Sequence, residues 1–469
     1  MKKSLSCSVF FLLCLSSYCQ ENNYWSTQYG AKSNLLGGAS VASFIDDGAI
    51  YYNPGTLAFK DSTHISVSAN AFQMEILKVK NGMGQGLDLE SQNYDVAPQL
   101  VGGNKKLSKK IEFEFILLSR YIVNAQLQAV HKIDDVPLFG KDSTELFRFT
   151  GEFETRNKVQ EQWGGAAISY RLSKNIGIGI TNFVAYRFQK NSQGVNATAV
   201  PNTSGQFYIM KLDFTRGLTY YTVRDIVKAG ISYNGNKFAA GCAFTFPSIH
   251  ITGSGTADNY FYIANLPDKN FIGFNQYNKG ENIKPQYKSP WSVSTGLSFK
   301  SEKIKIHIAA EYFGKVPWYA LYQPQPGTSL IPGPMGIMHK SDTLFSVRKG
   351  ANAVLNASAG TEIYLSPVIS LLAGFRTDFT CRNYNFNSIN DNVFSESGFD
   401  IWHYSLGLTY SKNKTTVTSG FTYSFGKSEA RQQPVNFRRP DNVSYLLGKP
   451  EPSGVITYNK IAFVIGFTF

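Results

Sequence analysis

The residues of this chain with chemical reach sit on alternate positions of apolar segments. Glu112, Glu114 and Arg120 punctuate IEFEFILLSRY, Arg187 closes NIGIGITNFVAYRF, Lys305, His307 and Glu311 alternate through KIKIHIAAEYF, and Arg376 follows LLAGF. A guanidinium grips a carboxylate through two parallel hydrogen bonds, so Arg120, Arg187 and Arg376 are candidate ligand-binding residues for an acidic head group. The same groups also suit internal ion pairs, with Glu311 and Lys305 joining Arg120 and Arg376 across an interior. Catalysis finds no footing: the chain holds no GxSxG, HExxH or phosphate loop, so it is not expected to be an enzyme. There is no CxxC, and the six histidines are dispersed, so neither a metal nor a cofactor is expected.

Strand alternation is what must position these groups. In the terminal stretch VITYNKIAFVIGFTF, Ile461, Phe463, Ile465, Phe467 and Phe469 share one face, and Ala462, Val464, Gly466 and Thr468 share the other. A large apolar face outside, a small face inside and an aromatic carboxyl terminus describe a strand of an outer-membrane barrel. Similar runs recur at Ile111–Tyr121, Asn175–Phe188, Lys237–Pro247, Trp291–Phe299, Lys303–Phe313, Ile401–Tyr410 and Thr415–Phe425. Their length of about ten residues suits a tilted membrane strand. The charged positions then face the lumen, because Arg or Lys against lipid costs about 2–4 kcal/mol at the midplane.

The connections alternate between short and long. Polar turns lie in YRLSKNI, YNGNKF, FKSEKI and YSKNKT, and Asn234-Gly235 is a hairpin signal. Long loops are expected at Val123–Gln160, Lys190–Thr219, Ile249–Tyr287, Gly314–Gly350, Arg382–Gly398 and Lys427–Gly454. The fold predicted is all-β: a transmembrane antiparallel barrel of about 14 strands, from Ser62–Phe72 to Val455–Phe469, in the outer membrane with both termini periplasmic. Composition agrees, with 14% aromatic and only 17% charged residues. Residues 1–20, with Lys2, Lys3 and the apolar run Val9–Leu15, read as a cleaved signal peptide. Residues 21–60 have no place in a wall and are expected to fold into the lumen as an N-terminal plug, leaving 61–469 as the barrel. The net charge of +13 is spread a lysine or two per hairpin, which excludes a nucleic-acid surface and leaves outer-membrane lipids, including lipopolysaccharide, as expected partners. Cys242 and Cys381 are expected to be unpaired.

Leu36–Leu57, LGGASVASFIDDGAIYYNPGTL, resembles the amino-terminal plug of FadL-type outer-membrane transporters. The acidic pair is Asp46 and Asp47, and the family's tyrosine-Asn-Pro-Ala motif stands here as Tyr52, Asn53, Pro54 and Gly55, with Gly55 replacing the usual Ala. SPWSVSTGLSF and the terminal strand are similar to that family too, so the resemblance spans the mature chain. It implies passive uptake of hydrophobic compounds, with long-chain fatty acids or similar lipids as cargo, through loop capture, plug movement and lateral release. It also implies that Lys190–Thr219 and Ile249–Tyr287 form the first groove, with Phe261, Phe271 and Phe274 as ligand-binding candidates. The alternative is a FadL-like barrel acting as a partner in protein secretion or outer-membrane assembly, where a cap of aromatic loops suits a protein partner.

Overall fold

The computed structural model describes residues 22–60, 63–140, 143–202, 208–266, 273–322, 327–331, 337–341, 347–382, 398–413, 415–428 and 432–469. The expected leader, and residues 383–397 of the expected loop Arg382–Gly398, lie outside them. The first strands are β1 (Ile65–Val79), β2 (Leu89–Lys106), β3 (Ile111–Val136), β4 (Phe147–Arg171), β5 (Ile176–Pro201), β6 (Met210–Asn234) and β7 (Phe238–Thr245). β8 (Ile249–Ala264), β9 (Phe274–Ile283), β10 (Ser292–Lys300), β11 (Ile304–Phe313), β12 (Val316–Tyr322), β13 (Gly327–Ile331), β14 (Ile337–Ser341) and β15 (Val347–Ala351) follow. The chain ends with β16 (Val354–Tyr364), β17 (Ile369–Asp378), β18 (Ile401–Lys412), β19 (Thr415–Ser428) and β20 (Ile456–Thr468).

β1–β7, β10, β11 and β16–β20 form a closed 14-strand antiparallel barrel. β1 pairs with β20 (Val67 opposite Phe467) and β5 with β6, so the wall closes on itself. β8 continues the line of β7 along β6, from Asp225–Ile249 to Lys211–Ala264, and β9 pairs with β8. β12–β15 and β13–β14 are separate two-stranded ribbons between β11 and β16. Among the described residues no helix is long and apolar enough to cross a membrane. Strands make the crossing.

The alternation changes sense partway along each long strand, and β5 shows why. Ile178, Ile180, Val184 and Tyr186 are exposed on its outer face, whereas Arg187, Gln189, Asn191 and Gln193 are buried inside. Beyond Phe188 the outer positions turn polar (Lys190, Ser192, Asn196, Thr198), and from Val195 the inner ones turn apolar (Val195, Ala197, Ala199). The lower part has lipid outside and a polar lumen. The upper part has water outside and an apolar core. This corrects three expected loops. Val123–Gln160 and Lys190–Thr219 are mostly strand, because the β3–β4 and β5–β6 ladders run on to Val136–Phe147 and Ala199–Met210, and Ile249–Tyr287 is mostly strand because β8 and β9 extend the sheet beside β6. An inverted polarity pattern, with the same period of two, is a strand that has left the membrane.

Candidate functional site

Residues 22–60 pack inside the wall. α1 (Ala31–Leu35) ends in a left-handed pair, Gly37 (φ 69°) and Gly38 (φ 78°), with Gly38 N–H donating to Ser33 O at 2.8 Å and Gly37 N–H to Asn34 O at 3.0 Å. α2 (Ala49–Tyr52) leads into a 3₁₀ turn, Pro54–Phe59. Asn53 caps that turn by accepting from Gly55 N–H at 2.9 Å, with Pro54 at its first position. The Asn53 amide donates to Val41 O (2.8 Å) within the segment and to Ile231 O (2.9 Å) of β6. Tyr52 OH donates to Gln28 Oε1 at 2.8 Å and accepts from Tyr29 N–H at 2.9 Å, tying both arms of the segment together. Tyr52, Asn53, Pro54 and Gly55 are thus all buried and centrally placed.

The wall meets this segment with glycines. A Cβ at Gly179, Gly230, Gly241, Gly360, Gly374 or Gly466 would run into Pro54, Asn53, Val41, Leu36, Gly37 or Ala31 respectively. These glycines come from β5, β6, β7, β16, β17 and β20, so the seat runs around much of the circumference near the short turns. Sequence reasoning missed it. The signal was present as glycine at inward positions of strands that otherwise carry side chains, a mark of close backbone approach.

The acidic pair anchors the segment at that end. Asp46 accepts from Ser33 N–H (2.9 Å), Ser33 Oγ–H (2.6 Å) and Gly48 N–H (3.0 Å). Burial prevails there and raises its carboxyl above the ordinary range. Asp47 pairs with Lys60 and lies 2.9 Å from His64 Nε2, and Lys60 reaches Glu114 of β3 at 3.1 Å. Burial pushes the Asp47 carboxyl up, but the His64 hydrogen bond and the charges of Lys60 and His64 outweigh it and hold it at about 2. An opening of about 460 Å³ lies beside this cluster, lined both by polar residues such as Lys32, Asp47 and His64 and by apolar ones such as Phe44, Val67 and Phe467.

Glu112, Glu114, Arg187, His307, Glu311 and Arg376 are all buried inside the wall. The expected pairing of Glu311 and Lys305 with Arg120 and Arg376 is not what holds the segment. Glu311 accepts from Trp25 Nε1–H (2.9 Å) and Ser292 Oγ–H (2.6 Å), and Arg376 donates to Trp25 O at 3.0 Å and Ser26 O at 3.4 Å. Arg120 donates to Tyr51 OH at 2.6 Å and stacks over Trp163 at 4.8 Å. Arg187 and Arg224 clamp Glu161 at 2.8 and 2.7 Å, and both lie over the Tyr287 ring. Of the three arginines singled out from sequence, Arg120 and Arg376 grip the inner segment through a phenol and backbone carbonyls, while Arg187 belongs to the ion cluster around Glu161, which Arg120 Nε also reaches at 4.0 Å. Asp378 accepts from Trp25 N–H (2.9 Å) and Ser26 Oγ–H (2.7 Å), leaving His403 Nε2 3.7 Å from its carboxylate.

One seam of the wall is open beside the segment. β2 and β3 pair only from Lys106–Glu112 to Leu100–Leu118, although β2 stays paired with β1, and β3 with β4, far beyond that height. Farther along the seam, Gln126 N–H donates to Ser91 Oγ at 3.2 Å. Pro98, which has no N–H to give, lies at the break. Register shifts on β1 (Ser68/Ala69 and Asn70/Gln73) and on β3 (Ser119/Tyr121, leaving Arg120 as the extra residue) fall at the same level. Behind the seam is a polar cavity whose lining includes Asn70, Gln73, Gln99, Ser119, Arg376 and Lys460.

The long-strand end is filled. Phe147, Phe149, Phe153, Phe214 and Phe261 pack with Phe437 and Leu446 of the β19–β20 connection into one apolar core. Phe261 is therefore a core residue rather than a lining one, at 2% exposure. Phe271 lies outside the described residues, and Phe274 opens β9 opposite Ile263. The role of Phe437, Tyr445 and Leu446 was missed, because a turn-rich connection with few apolar residues carries no periodic pattern. The aromatic connection Ile249–Tyr287 also gives Ile263 and Leu266 to that core, and Tyr287, Leu321 and Tyr322 form a smaller cluster with Leu218 and Tyr220.

An exposed apolar belt on a closed 14-strand wall defines a membrane-spanning barrel of the outer-membrane class. Its fold is that of FadL-type channels. The structure of a Pseudomonas aeruginosa FadL homologue matches with a TM-score of 0.62 at 12% identity, covering 95% of this chain and 99% of that one. The Pseudomonas putida toluene transporter TodX matches at 0.53 and 13%, covering 94% and 98%. The Ralstonia pickettii toluene transporter TbuX matches at 0.53 and 10%, again covering 94% and 98%. No family model and no curated protein matches the chain.

Proposed function

We propose that the barrel gives hydrophobic small molecules a passive path across the outer membrane, with long-chain fatty acids or similar lipids as cargo. The observation that carries this reading is the unpaired seam between β2 and β3. Inside it lies the polar cavity next to the N-terminal segment, and outside it Phe72, Tyr94 and Val96 are exposed on the lipid face. An apolar molecule gains nothing by passing into water, so a side exit into the bilayer is the favourable end of its route. Amides and cations behind the seam suit the head group of an amphiphile. The segment 22–60 acts as the plug, with Asn53 and Pro54 fixing it against β6. The resemblance in fold to barrels described as toluene transporters and as a FadL homologue supports hydrophobic cargo.

Cysteines replacing Gln99 and Ser119, the positions that would add the next rung beyond Leu100–Leu118, test the route. Oxidation of the pair is expected to abolish uptake of a radiolabelled fatty acid or aromatic hydrocarbon, and reduction to restore it. Unchanged uptake in the oxidised protein rules the seam out. A second reading, a partner role in secretion or assembly, is favoured by the apolar core that fills the long-strand end. Native mass spectrometry of the barrel in mild detergent separates the two: a bound lipid-like molecule supports transport, and a stoichiometric protein supports the partner role.

A further inference from the structure

Lysine crowds the short-turn end of the wall. Lys106, Lys110, Lys174, Lys237, Lys300 and Lys412 are all exposed there, and none makes an ion pair among the described residues. Glu302 is the only acid in the described residues of these turns. Just above the turns the outer face carries Tyr170, Tyr233, Phe238, Phe299, Tyr410 and Phe467, all exposed, as side chains at a membrane surface do. Ammonium groups at that level stand at the depth of lipid phosphates.

One face adds an apolar groove to this charge. On β7, β10 and β11 the lipid-facing positions Cys242, Thr295 and Ala310 lie side by side in register, and Ala310 is followed by Ala357 on β16. Ile231, Leu297 and Ile308 stand out around them and enclose a groove of about 520 Å³ with an almost wholly apolar lining. The belt on β18–β20 is filled instead by Tyr404, Leu406, Phe421 and Phe463. The strand between Thr295 and Lys300 measures roughly 16 Å, about the depth of one leaflet. At its foot Lys300 N–H donates to Lys237 O at 2.8 Å, which sets these two lysines side by side.

We infer that this face binds an anionic glycerophospholipid of the leaflet at the short-turn end, one acyl chain lying in the groove and the phosphate meeting Lys237 and Lys300. Small side chains leave room that lipid must fill, and the lysines meet no protein carboxylate, so charge complementarity selects a negative head group. The inference stands apart from transport, since the groove is on the lipid face and away from the β2–β3 seam.

Purified barrel in mild detergent is titrated by native mass spectrometry with phosphatidylglycerol, phosphatidylcholine of the same chains, and lipid A. Phosphatidylglycerol is expected to be retained about tenfold better than phosphatidylcholine, a preference that two lysines near the surface can supply. The double variant Lys237→Gln, Lys300→Gln should lose that preference, whereas Thr295→Phe, which fills the groove from outside, should lower retention of both phospholipids. Equal retention of the two by the unaltered barrel overturns the inference, as does a preference untouched by the lysine variant or stronger retention of lipid A. Each readout is binding alone, so none depends on whether the barrel transports.

Discussion

At the scale of single residues, the wall glycines are the positions where a methyl group matters. Gly230 on β6 faces the Asn53 side chain so closely that any Cβ there displaces the Asn53 carbonyl. Gly194, on the upper part of β5, has nothing nearer to its added Cβ than 3.9 Å. Gly230→Leu is therefore expected to unseat the plug motif, leaving the Asn53 amide or its backbone partners unsatisfied at about 1–3 kcal/mol, while Gly194→Ala does little. Ion conductance across planar bilayers and protease cleavage within residues 22–60 check this. Both should rise for Gly230→Leu alone, and equal behaviour of the two variants would remove the glycine seat from the account. Asn53 illustrates why the motif is specific. One side chain caps a turn, holds Val41 and holds the wall, and no other residue offers an acceptor and two donors at that length.

At the scale of elements, residues 22–60 are held by apolar packing, Val41, Ile50 and Leu57 against wall residues such as Leu100, Ile116 and Phe183, and by buried polar contacts, and the polar share of that hold is open to pH. Asp47 is held at about 2 in the folded barrel, below the unfolded carboxylate value of about 3.9. A depressed carboxylate stabilises the folded state fully above about pH 4, and that contribution is lost as pH falls toward 2. Protease access to residues 22–60 should therefore rise on acidification below about pH 4 in the unaltered protein. Asp47→Asn should show raised access already at neutral pH and a flatter profile. A profile unchanged by the substitution would show that the Lys60–Asp47 and His64–Asp47 contacts do not anchor the element. The seam is the complementary element. Pro98 and the Arg120 bulge interrupt two strands at one height, where a continuous ladder would have sealed the wall beside the same inner segment.

At the scale of the whole molecule, the short turns and the extended hairpins stand at opposite ends of one barrel. Asn413, in the β18–β19 turn, and Asn275, on β9, are both exposed and lie at those two ends. Cysteine at Asn275 should react with an impermeant label in intact cells, and cysteine at Asn413 only once the outer membrane is opened. The reverse pattern would invert the orientation. The amino-acid sequence by itself determined the barrel, because strand alternation is local and a lipid-facing row such as Ile461, Phe463 and Ile465 has few other uses. It also determined the turn asymmetry and drew attention to Tyr52-Asn53-Pro54-Gly55, which the structure buries within residues 22–60. It misled where water replaces lipid: beyond Phe188 the outer positions of β5 turn polar, and from Val195 the inner ones turn apolar, at an unbroken period of two, so the stretch reads as a loop. Only the tertiary structure decided which groups meet. Arg376 reaches Trp25 and Ser26, the glycines of six strands converge on one segment, Phe437 closes the far end, and β2 parts from β3. Such encounters depend on the register between strands far apart in the chain, and register is set by the closing of the whole wall, which no local pattern records.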